Sequence, residues 1–370
     1  MKFFRHLKAV MRFMQLPKSQ RRLTFYCEGK NYWPHLEGLI KQILATSDVP
    51  ICYISSDDND PGLSLKHKNL QTFKIDEGFV RNYLFENLET EIMVMTMPDL
   101  HQYQVKRSKH KVHYVYLQHS LVSLHMIYRK GAFDHYDTIF CAGPHHLKEV
   151  RATEKKYNLP KKNLVKHGYA RLDSIVAEAK KHPKTNKNNP KHILIAPSWG
   201  PDCIIELGLG GNIVDKLLTA GYQVTLRPHP QTIKFANDKI SSILKKHNQN
   251  KLFTFEANVA GQKSLHASDV MICDWSGAAL DYAFGLNKPV LFIDVPKKVN
   301  NQDYQDIDIE PFEVSIRDKI GTVIAPNGDV VNAIVKIKPL NLTEIYYYKN
   351  ADITGAQEIL RLLSNKEQPQ

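Results

Sequence analysis

The sequence predicts an α/β protein of two doubly wound lobes, and three observations carry that prediction. From residue 23, short apolar β-rich runs alternate with helical stretches, the pattern of a parallel sheet covered on both faces. A Lys/Asn/Pro-rich stretch at 180–192 interrupts the alternation, which then restarts. The length of 370 residues accommodates two Rossmann-like lobes of ~150 residues each, with a cleft between them. At 42% apolar and 24% charged residues, the composition excludes wholesale disorder and coiled coil. No apolar run is long enough to span a bilayer as a helix.

Residues 1–22 carry Lys2, Arg5, Lys8, Arg12, Lys18, Arg21 and Arg22 with no acidic residue. On a helix, Phe3, Leu7, Val10 and Met14 share one side, flanked by Arg5, Lys8 and Arg12. This predicts a basic amphipathic segment lying on an anionic membrane surface. The plainer alternative is a helix packed on its own protein. The apolar core and small-residue cleavage site of a secretory signal are missing.

Residues 23–179 make the N-terminal lobe. RLTFYCEG reads as a strand, Trp33–Ala45 as a helix, and VPICYISS as a strand closed by the turn DDNDPG. EIMVMTM, KVHYVYLQ and DTIFCAG are further strands, and HHLKEVRATEKKYN is helical. The linker 180–192 adds five lysines and no acid. Residues 193–335 make the C-terminal lobe, entered through the strand KHILIAPSW. YQVTLRPH, LFTFEA, VMICDWS and KPVLFID are its other strands, and its helices are GGNIVDKLLTAG, one near 231–247, and AALDYAFGL. Residues 336–370 are expected to form helices that return to the first lobe. Leader and linker together account for the whole formal net charge of +12. With no basic face left on either lobe, nucleic acid is not an expected partner. Five scattered cysteines without a CxxC pair fit reduced thiols in the cytosol.

Ligands of open α/β sheets bind beyond the carboxyl ends of the strands, so the residues that follow each strand are the candidates. In the first lobe these are Gln118, His119, Ser120 and Ser123; in the second, Ser198, Trp199 and Gly200, then Arg227 and His229, then Asp274, Ser276 and Gly277. Ser276 opens a helix near Ala278, where a hydroxyl and free backbone N–H groups suit phosphate, although a simple helix cap needs the same residue. Arg227 and His229 stand two apart and suit a phosphate's charge, although a buried structural histidine is the commoner outcome. His119, in the opposite lobe, has the side chain of a general base. Gly208, Gly210 and Gly211 make no GxGxxG fingerprint, and no HExxH-like spacing occurs. Neither a metal nor a cofactor is expected.

HGYARLDSI, ILIAPSWG, VTLRPHP and SDVMICDWSGAALDYAFGLNKPVLFID follow in order over about residues 110–295. Together they resemble the CDP-glycerol glycerophosphotransferase family of teichoic-acid primases, polymerases and capsule-synthesis relatives. The resemblance implies a glycosyltransferase-B fold, peripheral attachment to the cytoplasmic face of the membrane, and metal-independent transfer of glycerol phosphate from CDP-glycerol. The acceptor would be lipid-linked or a glycan. It implies that His119 is the base and that His229 and Ser276 contact phosphate. Asp281 would hold the donor's glycerol or order the loop. Ser198, Arg227, Asp274 and Gly277 would complete the donor site, and Gln118, Ser120 and Ser123 the acceptor side or its loop. Five positions depart from the family pattern: Gln118 stands for Trp, Ser120 for Gly, Gly277 for the second Ser of a pair, Trp275 for Tyr, and Ala170 for Pro. A CDP-polyol other than CDP-glycerol therefore stays open as donor. The rival reading is a nucleotide-sugar glycosyltransferase of the same fold in surface polysaccharide synthesis; a non-catalytic membrane-attached protein of the same fold is the third.

Overall fold

The first lobe begins with α1 (Lys2–Met14), β1 (Leu23–Cys27), α2 (Trp33–Thr46) and β2 (Ile51–Ser55). It continues through β3 (Leu70–Lys74), α3 (Phe79–Glu86), β4 (Ile92–Met95), β5 (His113–Leu117) and α4 (Leu124–Ile127). β6 (Thr138–Cys141), α5 (Pro144–Lys156), β7 (Asn163–Lys166) and α6 (Ala170–Lys181) follow. The second lobe opens with β8 (His192–Ile195), α7 (Leu209–Thr219), β9 (Gln223–Leu226), α8 (Pro230–Phe235) and α9 (Asn237–His247). Next come β10 (Phe253–Phe255), α10 (Lys263–Ala267), β11 (Val270–Cys273), α11 (Ala278–Leu286) and β12 (Val290–Ile293). The chain ends through α12 (Phe312–Ser315), α13 (Arg317–Ile320), β13 (Gly321–Ile324), α14 (Val330–Lys336) and α15 (Ala351–Ser364). This computed structural model describes residues 2–76, 78–103, 105–181, 190–259, 261–342, 344 and 346–365. Most of the expected linker, 182–189, lies outside the described residues.

Both sheets are parallel, in the orders β3-β2-β1-β4-β5-β6-β7 and β10-β9-β8-β11-β12-β13. Helices on both faces explain the near-continuous apolar strands: every residue of β1, β2, β4, β8, β11 and β12 is buried. On one face of the first sheet, Val10 and Phe13 of α1 join Leu84 and Phe85 of α3 over Tyr26 and Tyr114. On the other, Leu36, Leu39 and Ile43 of α2 meet Ile359 and Leu363 of α15. Full burial of Ile359 and Leu363 is worth roughly 1.5–3 kcal/mol each, which holds α15 on the first lobe. Second-lobe helices α7, α9 and α14 cover one face of their sheet. Its other face is covered by α11, against which α6 of the first lobe packs through Leu172 and Ile175.

Three strands go beyond the expected set. β3 (LQTFK), β7 (NLVK) and β13 (GTVI) lie outermost or nearly so and are half exposed, so polar residues replace the apolar run that marks a central strand. The single helix expected near 231–247 is two, because Ala236 (φ −124°, ψ 37°) leaves the helical region between α8 and α9. α1 divides its apolar residues. His6, Val10 and Phe13 face the protein, whereas Phe3, Phe4 and Met11 are exposed.

In each sheet the chain winds outward to one side and then starts again on the other, between β1 and β4 and between β8 and β11. Connections diverge at such a reversal and leave a crevice at the strand ends. The two crevices face each other.

Candidate active site

A cleft of about 760 Å³ lies between the lobes. Its first-lobe wall carries Tyr32 after β1, Asp99 after β4, and His119 and Ser120 after β5. Opposite them stand Ser198 and Trp199 after β8, His229 after β9, Ser276 and Gly277 after β11, and Lys298 after β12.

His119 sits in an aromatic box, its ring 5.6 Å from Tyr32, 5.7 Å from His35 and 6.3 Å from Tyr128. Burial pushes its pKa down to about 4, so the ring is neutral at pH 7. Tyr116 Oη lies 3.2 Å from Nδ1. When Nδ1–H donates to that oxygen, Nε2 keeps a free lone pair, the form a base requires.

His229 has the complementary arrangement. Gln231 N–H donates to its Nδ1 at 3.1 Å, which caps α8 and leaves the ring proton on Nε2. Burial, then the charge of Lys298, hold its pKa down near 4. Trp199 stacks on the ring with centroids 5.8 Å apart. Beside it, α11 starts just after Gly277; Ala278 N–H donates to Ser276 Oγ at 3.3 Å, Ala279 N–H to Ser276 O at 3.1 Å and Leu280 N–H to Gly277 O at 3.0 Å. The positive end of the α11 dipole faces the cleft at Ser276 and Gly277. A Cβ built on Gly277 would lie 2.9 Å from Ser120 Oγ. The glycine thus allows α11 to approach the first lobe.

Five predicted site residues do not line the cleft. Arg227 is buried, its guanidinium donating to Ser264 Oγ and to the carbonyls of Val259 and Gly261, so it braces a loop. Asp274 is buried and accepts from Ser198 N–H at 2.6 Å and Ile204 N–H at 3.1 Å, fixing the turn after β8. Asp281 lies one turn into α11 and accepts from Arg171 Nε at 3.3 Å, facing α6. Gln118 is buried behind the loop, its N–H bonded to Phe140 O. Ser123 is fully buried, its N–H and hydroxyl both donating to Glu313 at 2.7 Å. Arg227 and Asp274 turn their polar groups inward onto backbone groups, whereas Asp281 and Ser123 turn theirs onto other side chains.

Tyr32, Tyr116 and Lys298 belong to the site without having been singled out in the sequence. Lys298 follows β12, the one central second-lobe strand whose exit contributed no candidate. Among the described residues, no group of three or more His, Cys, Asp and Glu side chains is placed to hold a metal ion.

A family model described as CDP-Glycerol:Poly(glycerophosphate) glycerophosphotransferase matches residues 93–308. The wall teichoic acid polymerase TagF superposes with a TM-score of 0.58 at 14% identity, over 100% of this chain and 98% of that one. The UDP-GlcNAc 2-epimerase of Methanocaldococcus jannaschii, solved with UDP-GlcNAc and UDP, gives 0.61 at 13% identity over 93% and 99%. MnaA of S. aureus, solved with UDP, gives 0.58 at 12% identity over 94% and 97%. These likenesses establish the two-lobed glycosyltransferase-B type of fold. Comparison with curated proteins finds no match.

Proposed function

The chain belongs to the CDP-glycerol:poly(glycerophosphate) glycerophosphotransferase family, and from that premise we propose that it transfers glycerol phosphate, or a related polyol phosphate, from a CDP-activated donor. The acceptor is a hydroxyl of a lipid-linked or glycan chain in bacterial surface-polymer synthesis. One observation carries the reading: two buried histidines held neutral at pH 7, His119 and His229, face each other across one cleft with Ser276 beside them. His119 Nε2 takes the acceptor hydroxyl's proton as that oxygen bonds to the donor's β-phosphorus. The bond from this phosphorus to the bridging oxygen breaks, and CMP leaves. His229 Nε2–H, Ser276 and the backbone at Gly277–Ala278 stabilise charge on the phosphates.

Support for work at a membrane surface comes from α1. Phe3, Phe4 and Met11 are exposed beside Lys8, and α3, packed against α1, adds exposed Phe79 and Tyr83. Arg5 and Arg12 are partly engaged on the protein, with Asp58 and with Thr72 O. Among the described residues no helix is long and apolar enough to cross a membrane.

The deciding experiment incubates purified protein with CDP-glycerol, CDP-ribitol and UDP-sugars and a hydroxyl acceptor. CMP release with a new phosphodiester is the expected result. A glycosidic bond and a nucleoside diphosphate would move the assignment to the glycosyltransferase reading.

A further inference from the structure

A nucleotide diphosphate brings two to three negative charges, and the cation assigned to it in the sequence, Arg227, is turned away onto carbonyls. The second-lobe wall of the cleft holds another. Lys298 Nζ lies 3.1 Å from Ser198 Oγ, 3.0 Å from Trp199 O and 4.7 Å from the centre of the Trp199 ring. All three partners are neutral.

Among the described residues, no carboxylate forms an ion pair with Lys298. Asp274 holds the amides of Ser198 and Ile204, and Glu206 accepts the hydroxyl of Thr232. Burial holds the ammonium's pKa below the usual lysine value. A cation drawn partly out of water without a carboxylate in contact is costly, and an arriving anion removes that cost.

We infer that Lys298 is the group that receives the donor's diphosphate, on the same wall as His229 and Ser276. Ser198 and Trp199 aim it, and Asp274 fixes Ser198 in turn. This inference rests on the reading that the cleft takes a nucleotide-diphosphate donor. It adds a residue for which the family match and the motifs supply no role.

The test is calorimetric titration of wild type, Lys298→Gln and Lys298→Arg with CDP, UDP, cytidine and uridine, with melting curves to verify folding. Gln can still donate to Ser198 or Trp199 but carries no charge, which separates bracing from charge. Loss of one charge-assisted contact should weaken the preferred diphosphate about tenfold to a hundredfold in the Gln variant. Its nucleoside should bind within about twofold of wild type, and Arg should recover most of the loss. Diphosphate binding unchanged in the Gln variant, or diphosphate and nucleoside weakened in equal proportion, would overturn the assignment. A wild type that takes UDP and not CDP overturns the CDP reading alone, with Lys298 then judged on UDP; one that takes neither overturns both.

Discussion

His119 and His229 are both neutral at pH 7; the α8 cap leaves the His229 ring proton on Nε2, and Tyr116 Oη beside His119 Nδ1 allows that ring to keep its lone pair on Nε2. Burial holds both pKa values near 4. Lowering the pH therefore removes the base's lone pair only as it passes through about 4, and the acid limb of kcat/KM is expected below pH 5 rather than at the usual 6.5. A pH–rate profile of the wild type checks this, with His119→Ala expected to lose transfer across the range; a limb at 6.5 would point to another base. Ser120 and Gly277 make a second residue-scale case. A side chain at 277 would meet Ser120 Oγ at 2.9 Å across the lobes. Gly277→Ser alone should lower kcat/KM roughly tenfold, and Ser120→Gly in the same chain should restore most of it, a coupling that a double-mutant cycle measures. The strand-exit candidates that line the cleft were legible because strand exits concentrate ligand contacts. Arg227 and Asp274 satisfied the same signal while serving backbone groups. Sequence position does not reveal which way a side chain turns.

Central strands were legible as elements because burial on both faces leaves an apolar run. Three of the four edge strands were not, since Gln71 and Lys74 in β3 or Asn163 and Lys166 in β7 read as loop; the fourth, β10, kept an aromatic FTF run. Helix α1 shows the same limit from another side. Its sequence stripe of Phe3, Leu7, Val10 and Met14 implies one apolar face, but the molecule splits it, placing Val10 against the core and Phe3 in solvent. The packed half anchors the helix and the exposed half remains available to lipid. Replacing Phe3, Phe4 and Met11 together with Ser should therefore leave the melting temperature nearly unchanged. Binding to vesicles containing phosphatidylglycerol should fall at least tenfold, which co-sedimentation reads. Equal binding by the variant would remove α1 from the membrane reading.

The two lobes touch through more than the cleft. The loop that carries His119 runs on into Ser123, held by Glu313 of the second lobe, and into His125, whose Nε2 donates to Ile309 O at 3.0 Å. Asn301 donates to His125 O at 2.8 Å. Burial raises the Glu313 pKa to about 7, opposed by the Ser123 donors, with Glu149 adding to the rise. A carboxyl whose folded value is raised contributes most below its ordinary pKa, and its contribution is lost as pH climbs through about 7. Between pH 5 and 8 the wild type should thus lose stability relative to Glu313→Gln, by on the order of 3 kcal/mol at most, as denaturant melts at the two pH values would show. Matching pH dependence in both proteins would mean that Glu313 stays ionised in the fold. The path of the chain has a further consequence. It leaves the first lobe at α6 and comes back only at α15, whose Ile359 and Leu363 close the core over α2. During synthesis the lobe begun first is consequently finished last, its α2 face uncovered while the whole second lobe emerges. A premature stop before residue 351 would strip the half that carries His119, not merely shorten a tail.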